Sequence, residues 1–477
     1  MDELFEKRMK DLLKEDYSAW LDAFDQEQSQ ALRISPRKQP VSVTREELGF
    51  LGKPSPFARN TWYIHGRYGL HPAHLQGLFY LQEPSAGSAV SALDVKPDDS
   101  VLDLCAAPGS KSTQILEALG ENGYLLSNEI EPKRAQILLS NLERMGAENF
   151  AVTNMDSKTL CRQLPAFFDK LLVDAPCSGE GMMKKHDAAR DEWSIANVLL
   201  CSARQKDILK EAWQALKPGG SMVYSTCTYA PEENEENVAW ILETFDDAVL
   251  LPIEGDWGRS GYPIGGLNEE QAAMVRRIFP MDGGEGHFVA RIGKKESPEQ
   301  EQSAKKKSSL LKKSDALPKE AEKFLDEQLE ENGTNGGFAY YQTQDSKDGM
   351  QVYGSNTPFL NLKKGKVLRQ GVQIGTVTKK RFEPAFAFYL CLTAAKHLKT
   401  KTETDLQAMD DYYHGTQLSI AAPAGYRALC YRGVPYGFGK SSSGRITNKL
   451  PKGLRLTPSS HLIRDDAAAE EVQTEPR

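Results

Sequence analysis

Val101-Leu102-Asp103-Leu104-Cys105-Ala106-Ala107-Pro108-Gly109-Ser110-Lys111 decides how this chain is read. The apolar run at 101–104 predicts a buried strand, and 105–109 a turn of small residues. Ser110 to Ser112 open a helix that runs over 112–119. Small side chains at Ala106, Ala107 and Gly109 let backbone approach a ligand closely, and the first N–H groups of the helix face the same place. The alternation continues downstream, with strands over 123–129, 150–153 and 170–174 and a helix over 133–145. A long helix over 201–216 stops at Lys217-Pro218-Gly219-Gly220, and a strand follows over 221–226. Such alternation predicts an α/β, Rossmann-like, doubly wound and mostly parallel sheet.

The strand ends carry acids. Glu129 suits hydrogen bonds to ribose hydroxyls, and Asp156 suits the exocyclic amine of adenine. The loop contains neither GxGxxG nor GxxxxGK[ST], which disfavours a dinucleotide oxidoreductase and a P-loop NTPase. A different nucleotide-containing cofactor is expected.

Two cysteines follow strands of this pattern. Cys177 lies in Asp174-Ala175-Pro176-Cys177-Ser178-Gly179-Glu180-Gly181, and Cys227 in Tyr224-Ser225-Thr226-Cys227-Thr228-Tyr229. A doubly wound sheet places its active site at the carboxyl ends of its strands. A thiolate there can add to C6 of a pyrimidine and make C5 electron-rich enough to take a methyl group from a sulfonium donor. Loss of the C5 proton and expulsion of the thiol then restore the ring. Asp174 suits the cytosine amino edge. The residues alone do not rank Cys227 against Cys177. The other cysteines, Cys105, Cys161, Cys201, Cys391 and Cys430, read as small buried hydrophobes.

These segments resemble motifs of the NOL1/NOP2/Sun family of RNA cytosine-5 methyltransferases. The likeness extends over Gln82-Glu83-Pro84-Ser85-Ala86, Pro231-Glu232-Glu233-Asn234-Glu235 and Gly284-Glu285-Gly286-His287-Phe288. It implies S-adenosylmethionine as cofactor, held by Cys105, Ala106, Ala107, Pro108, Gly109, Ser110, Lys111, Glu129, Arg134, Asp156 and Asp174. It implies Cys227 as the nucleophile and Cys177 as the thiol that assists release of the methylated RNA. A family lysine falls on Lys185, with Lys184 as its rival. Pro280-Met281 stands where the family often has Pro-His, so any role of that histidine is absent here, although His287 is kept.

The rest of the chain fits a modular RNA enzyme. Its 477 residues, 40% hydrophobic and 26% charged, predict about three domains. The charged N-terminus and the lack of an apolar run of roughly 18 residues predict a cytoplasmic protein without a membrane span. Seven cysteines without a CxxC pair predict reduced thiols and no metal site. A net charge of −7 excludes a globally basic nucleic-acid binder. One amphipathic helix is expected over 1–25, from Leu4, Phe5, Met9, Leu12, Leu13, Trp20, Leu21 and Phe24. The expected division is an N-terminal RNA-recognition-like α+β domain at 1–85, the methyltransferase domain at 86–294, and a flexible linker at 295–319. An intermediate α+β domain at 320–405, a PUA-like β-barrel at 406–464 and a disordered tail at 465–477 follow. The last barrel resembles the C-terminal unit of the bacterial 16S rRNA cytosine-5 methyltransferase F group.

Lys363, Lys364, Lys366, Arg369, Lys379, Lys380 and Arg381, with no acid among them, form either a phosphate-tracking surface or a solvated face. For Arg33 and Arg67 an RNA contact and a plain surface role both stay open. The expected substrate is RNA, foremost small-subunit rRNA or the 30S subunit, presented with its target cytosine unstacked. Transfer RNA is the alternative within the class. A non-catalytic ribosome-assembly factor is the alternative outside it. A small-molecule methyltransferase leaves the basic flanking units without a purpose.

Overall fold

The computed structural model describes residues 2–26, 29–183, 193–296, 310–330, 337–379 and 381–463. The expected tail at 465–477 and Lys184, Lys185 and Lys380 lie outside them.

The N-terminal helix is two helices. Asp2 caps Glu3–Leu13 by accepting from the backbone N–H of Leu4 and Phe5 at 2.9 and 3.0 Å. Lys14, at φ 49°, breaks it before Tyr17–Phe24 begins. The break lets both apolar stripes reach one target, because Phe5, Met9, Trp20 and Phe24 pack with Met183, Trp193, Tyr229 and Phe279.

Strands β1 (Gln30–Ile34), β2 (Thr61–Ile64) and β3 (Phe79–Gln82) form an antiparallel sheet in the order β2-β1-β3. Arg33 on β1 is fully buried, contrary to both expectations for it. Its guanidinium donates to Gln82 Oε1, Thr113 Oγ1 and Glu117 at 2.6, 2.8 and 3.1 Å. It therefore joins the N-terminal sheet to the helix Ser110–Ala118. Arg67 is exposed.

Strands β4 (Ser100–Asp103), β5 (Tyr124–Asn128), β6 (Phe150–Asn154), β7 (Phe168–Asp174) and β8 (Leu216–Thr226) run parallel in the order β8-β7-β4-β5-β6. Their buried centres are apolar because helices cover both faces of the sheet. The helix before β8 spans Ile195–Ala215, starting earlier than expected because Ser194 caps it through Asn197 N–H at 3.2 Å. The turn residues Lys217–Gly220 do not separate helix from strand. The β7–β8 ladder absorbs them as an irregularity, pairing Phe168 with Leu216 and then Lys170 with Ser221.

Strands β9 (Ala248–Leu251), β10 (Arg259–Ser260), β11 (Arg276–Ile278) and β12 (His287–Lys294) extend the sheet antiparallel beyond β8. Strand order reverses between β4 and β7. Ligands of an open α/β sheet bind at such a point, outside the carboxyl ends of the strands.

The C-terminal half departs from the expected division. Strands β13 (Tyr340–Ser346) and β14 (Gly349–Ser355) are followed by β15 (Lys366–Gln370), β16 (Val372–Val377) and β17 (Phe382–Pro384). β13, β14, β16 and β17 make one sheet, but β15 leaves it and pairs antiparallel with β6, closing the edge of the methyltransferase sheet. Arg369 on β15 is ion-paired with Glu143, and Arg381 with Glu383, so the basic run is not a continuous free surface. Lys363, Lys364, Lys366 and Lys379 remain exposed.

Strand β18 (Lys401–Glu403) pairs with β19 (Gly425–Tyr431), which joins β20 (Val434–Ser442) and β21 (Arg445–Asn448). That sheet crosses the expected boundary at 405/406. Of the expected linker at 295–319, residues 297–309 lie outside the described residues, and of the rest Leu310 and Leu311 pack on the methyltransferase core, with Lys312 N–H donating to Phe359 O at 2.8 Å. Among the described residues no helix is long and apolar enough to cross a membrane.

One buried ion pair closes the antiparallel extension. Arg277 on β11 is 1% exposed and meets a fully buried Glu235 through two guanidinium nitrogens, while donating to Tyr229 O at 2.8 Å. Removing one partner strands a buried charge, which costs about 3–5 kcal/mol. Arg277→Ala is expected to lose about that much in urea denaturation, and Arg259→Ala, which removes a half-exposed charge, less than about 1 kcal/mol.

Candidate active site

Three loops meet at the reversal of strand order: those after β4, β7 and β8. Register decides their meeting. Asp103 pairs with Leu172 and Asp174 with Ser225, so the three strands end nearly level. Beyond those ends the Cys177 and Cys227 sulfurs lie 3.1 Å apart, both partly exposed. All seven cysteines are free, and Cys161, Cys201, Cys391 and Cys430 are buried.

The loop after β4 is held on every side. Ala106 N–H donates to Asn128 O at 2.8 Å, and Asn141 Nδ2 to Pro108 O at 2.9 Å. The Ala107–Pro108 peptide is cis, and Gly109 adopts φ 113°, a left-handed conformation that glycine takes without penalty. Ser110 Oγ donates to Gln82 Oε1 at 2.9 Å. Glu129 is 3% exposed, and Arg134 lies 3.6 Å from its carboxylate while donating to Ala107 O at 2.8 Å. Asp156 stands apart as an exposed helix cap, accepting from Thr159 N–H at 2.8 Å through one oxygen.

Asp103 is fully buried. Ser112 donates to its Oδ2 at 2.7 Å, and Oδ1 has no hydrogen-bond partner among the described residues. Burial pushes its carboxyl up to about 7. A small-residue turn, a left-handed glycine, a buried carboxylate oxygen without a partner and Glu129 beside the Ala107 carbonyl fit a nucleoside-bearing cofactor.

Lys111 links this loop to the thiols. Its Nζ lies 2.8 Å from Asp174 Oδ2, and Ser225 Oγ donates to Asp174 Oδ1 at 2.7 Å. Burial alone raises the Asp174 carboxyl, but Lys111 and His287 outweigh it and hold it below the usual range. His287 is 8% exposed, its Nδ1 3.9 Å from Glu83 Oε2. Burial and Lys111 lower its pKa.

Sequence reasoning gave no role to the residues behind the thiols. Glu233 accepts from Ser178 N–H at 3.0 Å and Gln205 Nε2 at 2.7 Å, and Gln205 also holds Pro176 O at 2.9 Å. Asn234 accepts from Thr226 Oγ1 at 2.6 Å and donates to Thr228 O at 3.0 Å. Glu180 accepts from Trp193 Nε1, Thr228 Oγ1 and Tyr229 N–H, each at 2.9 Å. The 231–235 segment therefore grips both cysteine loops. Its signal was present as an acid-rich segment opening a helix, but which loops it holds is a matter of tertiary contact.

Burial raises the Glu233 carboxyl to about 7 from 4.5. A folded pKa above the unfolded one gives stability that is full below pH 4.5 and lost as pH rises to about 7. The span corresponds to about 3 kcal/mol. Glu233→Gln is expected to flatten the fall in melting temperature between those pH values; an unchanged pH profile would refute a buried, titrating Glu233.

Known proteins resemble this chain. Residues 90–293 match the model of the 16S rRNA methyltransferase RsmB/F family, and residues 1–84 the N-terminal domain of 16S rRNA methyltransferase RsmF. Residues 340–392 match the RsmF rRNA methyltransferase first C-terminal domain, and 399–456 the methyltransferase RsmF PUA domain. The ribosomal RNA small subunit methyltransferase F of Vibrio parahaemolyticus is 33% identical over 455 residues, 89% of this chain and 91% of that one. Its namesake in Salmonella agona is 42% identical over 227 residues, 46% of each chain. The crystal structure of a methyltransferase homologue from Pyrococcus horikoshii matches with TM-score 0.56 and 30% identity, covering 62% of this chain and 95% of that one. NSun6 from Pyrococcus horikoshii shares the fold, at TM-score 0.52 and 20% identity over 62% of this chain and 99% of that one. The chain belongs to the RsmB/F family of 16S rRNA methyltransferases and is an S-adenosylmethionine-dependent methyltransferase.

Proposed function

We propose that this enzyme methylates C5 of a cytosine in 16S rRNA, within the small subunit or its precursor, in the cytoplasm. The observation that carries the reading is the Cys177–Cys227 pair, 3.1 Å apart beside Lys111 and Asp174 at the end of the cofactor loop. We place the cofactor on 105–111 with Glu129 and Arg134, and there it supplies the methyl group. Asp156 keeps one carboxylate oxygen for the adenine amine. We divide the chain into 1–85, 86–294, 320–400 and 401–463, the outer units holding RNA. Lys185 remains a candidate for holding the base, from resemblance alone.

Cys227 Sγ adds to C6 of a flipped cytosine, and Asp174, fixed between Lys111 and Ser225, accepts from the cytosine amino group. After C5 is methylated its proton passes to water, the C5–H electron pair re-forms the C5–C6 double bond, and the Cys227 sulfur leaves C6 with its bonding pair, so that the aromatic ring returns. Cys177 has reason to act as the proton-carrying partner. The neighbouring Cys227 sulfur, burial and Glu233 all push its thiol well above the ordinary range, so it stays S–H beside the attacking sulfur.

Cys227→Ala is expected to lower methyl transfer by about 10³-fold or more while S-adenosylmethionine binding, read by calorimetry, stays within about twofold. Cys177→Ala is expected to accumulate a protein–RNA adduct that survives a denaturing gel. No adduct with a competent RNA would overturn the two roles. Transfer of labelled methyl groups to assembled small subunits, naked 16S rRNA and bulk transfer RNA, each digested to nucleosides, tests the substrate. Label in 5-methylcytosine from small-subunit material is the expected result; label from transfer RNA alone would keep the chemistry and overturn the substrate.

A further inference from the structure

Far from the thiols, three side chains with metal-ligand chemistry converge in the last unit. Asp410 lies in the helix Leu406–Tyr413, and His414 caps that helix one turn later. His461 arrives from the far end of the described chain, 51 positions from Asp410. One ligand atom from each side chain lies within 4.8 Å of the others. Asp410 Oδ2 is 3.1 Å from His461 Nδ1 and 3.5 Å from His414 Nδ1. The two imidazole rings are 5.2 Å apart, centre to centre, and tilted by 37°.

We propose that Asp410, His414 and His461 bind a first-row divalent cation of the zinc type. The donor set, two imidazoles and one carboxylate, is one that zinc accepts, and three protein ligands leave a position for water or a further group. Two features go beyond proximity. Asp410 is 8% exposed, and its second oxygen is occupied by Leu462 N–H at 2.8 Å, which orients the carboxylate as an outer hydrogen bond orients a metal ligand. His414 Nδ1 faces both Asp410 O, at 2.8 Å, and Asp410 Oδ2, at 3.5 Å, so a cation entering between the three groups would take this nitrogen from the helix carbonyl.

The ion would cross-link two distant segments. Leu462 is buried in the core of the last unit, and Ile463 N–H donates to Leu70 O at 3.2 Å. Binding at His461 would therefore fasten the 461–463 segment both to the helix of the last unit and to the N-terminal domain. The sequence expectation of no metal rested on closely spaced ligands, and this set is assembled only by folding.

The full chain, stripped with a chelator and dialysed against Co2+, tests the site. The paired thiols at 177 and 227 also attract soft metals, so the spectrum matters. The expected result is one bound Co2+ per chain with visible d–d bands and no thiolate charge-transfer band. His461→Ala, which removes an exposed side chain, and His414→Ala should each weaken that binding by about tenfold or more. In wild type, loading should also slow proteolytic removal of the C-terminal segment. A spectrum of thiolate type alone, no retained metal, or binding indifferent to both substitutions would overturn the site.

Discussion

The position of the two thiols depends on the parallel pairing of β7 with β8, Asp174 opposite Ser225. A slip of one residue would turn each buried side chain to the other face of the sheet and point one thiol away from its partner. The register is secured from outside the ladder. Glu233 holds the loop after β7, Asn234 the loop after β8, and Glu180 returns from the first loop to the second. Glu235 then fixes the antiparallel extension through Arg277. Consecutive residues 233–235 thus reach three different segments, which a helix entry can do because successive side chains there diverge in direction.

Burying so many carboxylates is unfavourable unless each is hydrogen-bonded or paired. The fold meets this by role. Glu235 has an arginine, Arg277, on both carboxylate oxygens. Glu233 and Asp103 have only neutral donors, and both are pushed up to about 7. Asp174 has Lys111, and is the carboxylate that remains ionised beside the thiols. Asp174 is thus the one of these carboxyls held below its usual range, while burial lifts Glu233 and Asp103 above theirs.

The methyltransferase core was legible in the sequence because its strands are apolar runs punctuated by small-residue turns, and that pattern is local. The loop at 105–111 and the cysteines could be located for the same reason. What could not be read is tertiary. Arg33 looks like any surface arginine until Gln82, Thr113 and Glu117 surround it. Nothing in 366–370 announces that this strand will leave its neighbours to pair with β6, because an edge strand's choice of partner depends on which edge is open. The turn at 217–220 has every mark of a break, yet the ladder accommodates it, since β7 offers a matching irregularity.

The ranking of the two thiols shows where geometry adds to motif. Both follow strands, both precede hydroxyl residues, and composition treats them alike. Their surroundings differ. The Cys177 loop is pinned by Glu233 through Ser178 N–H and by Gln205 through Pro176 O, so Cys177 faces a buried carboxyl as well as the second sulfur. Asp174 foremost, and Cys227 with it, favours the Lys111 ammonium. A thiol beside an acid and a second sulfur is favoured as S–H. The proton therefore stays on Cys177, on the side where the release step needs it.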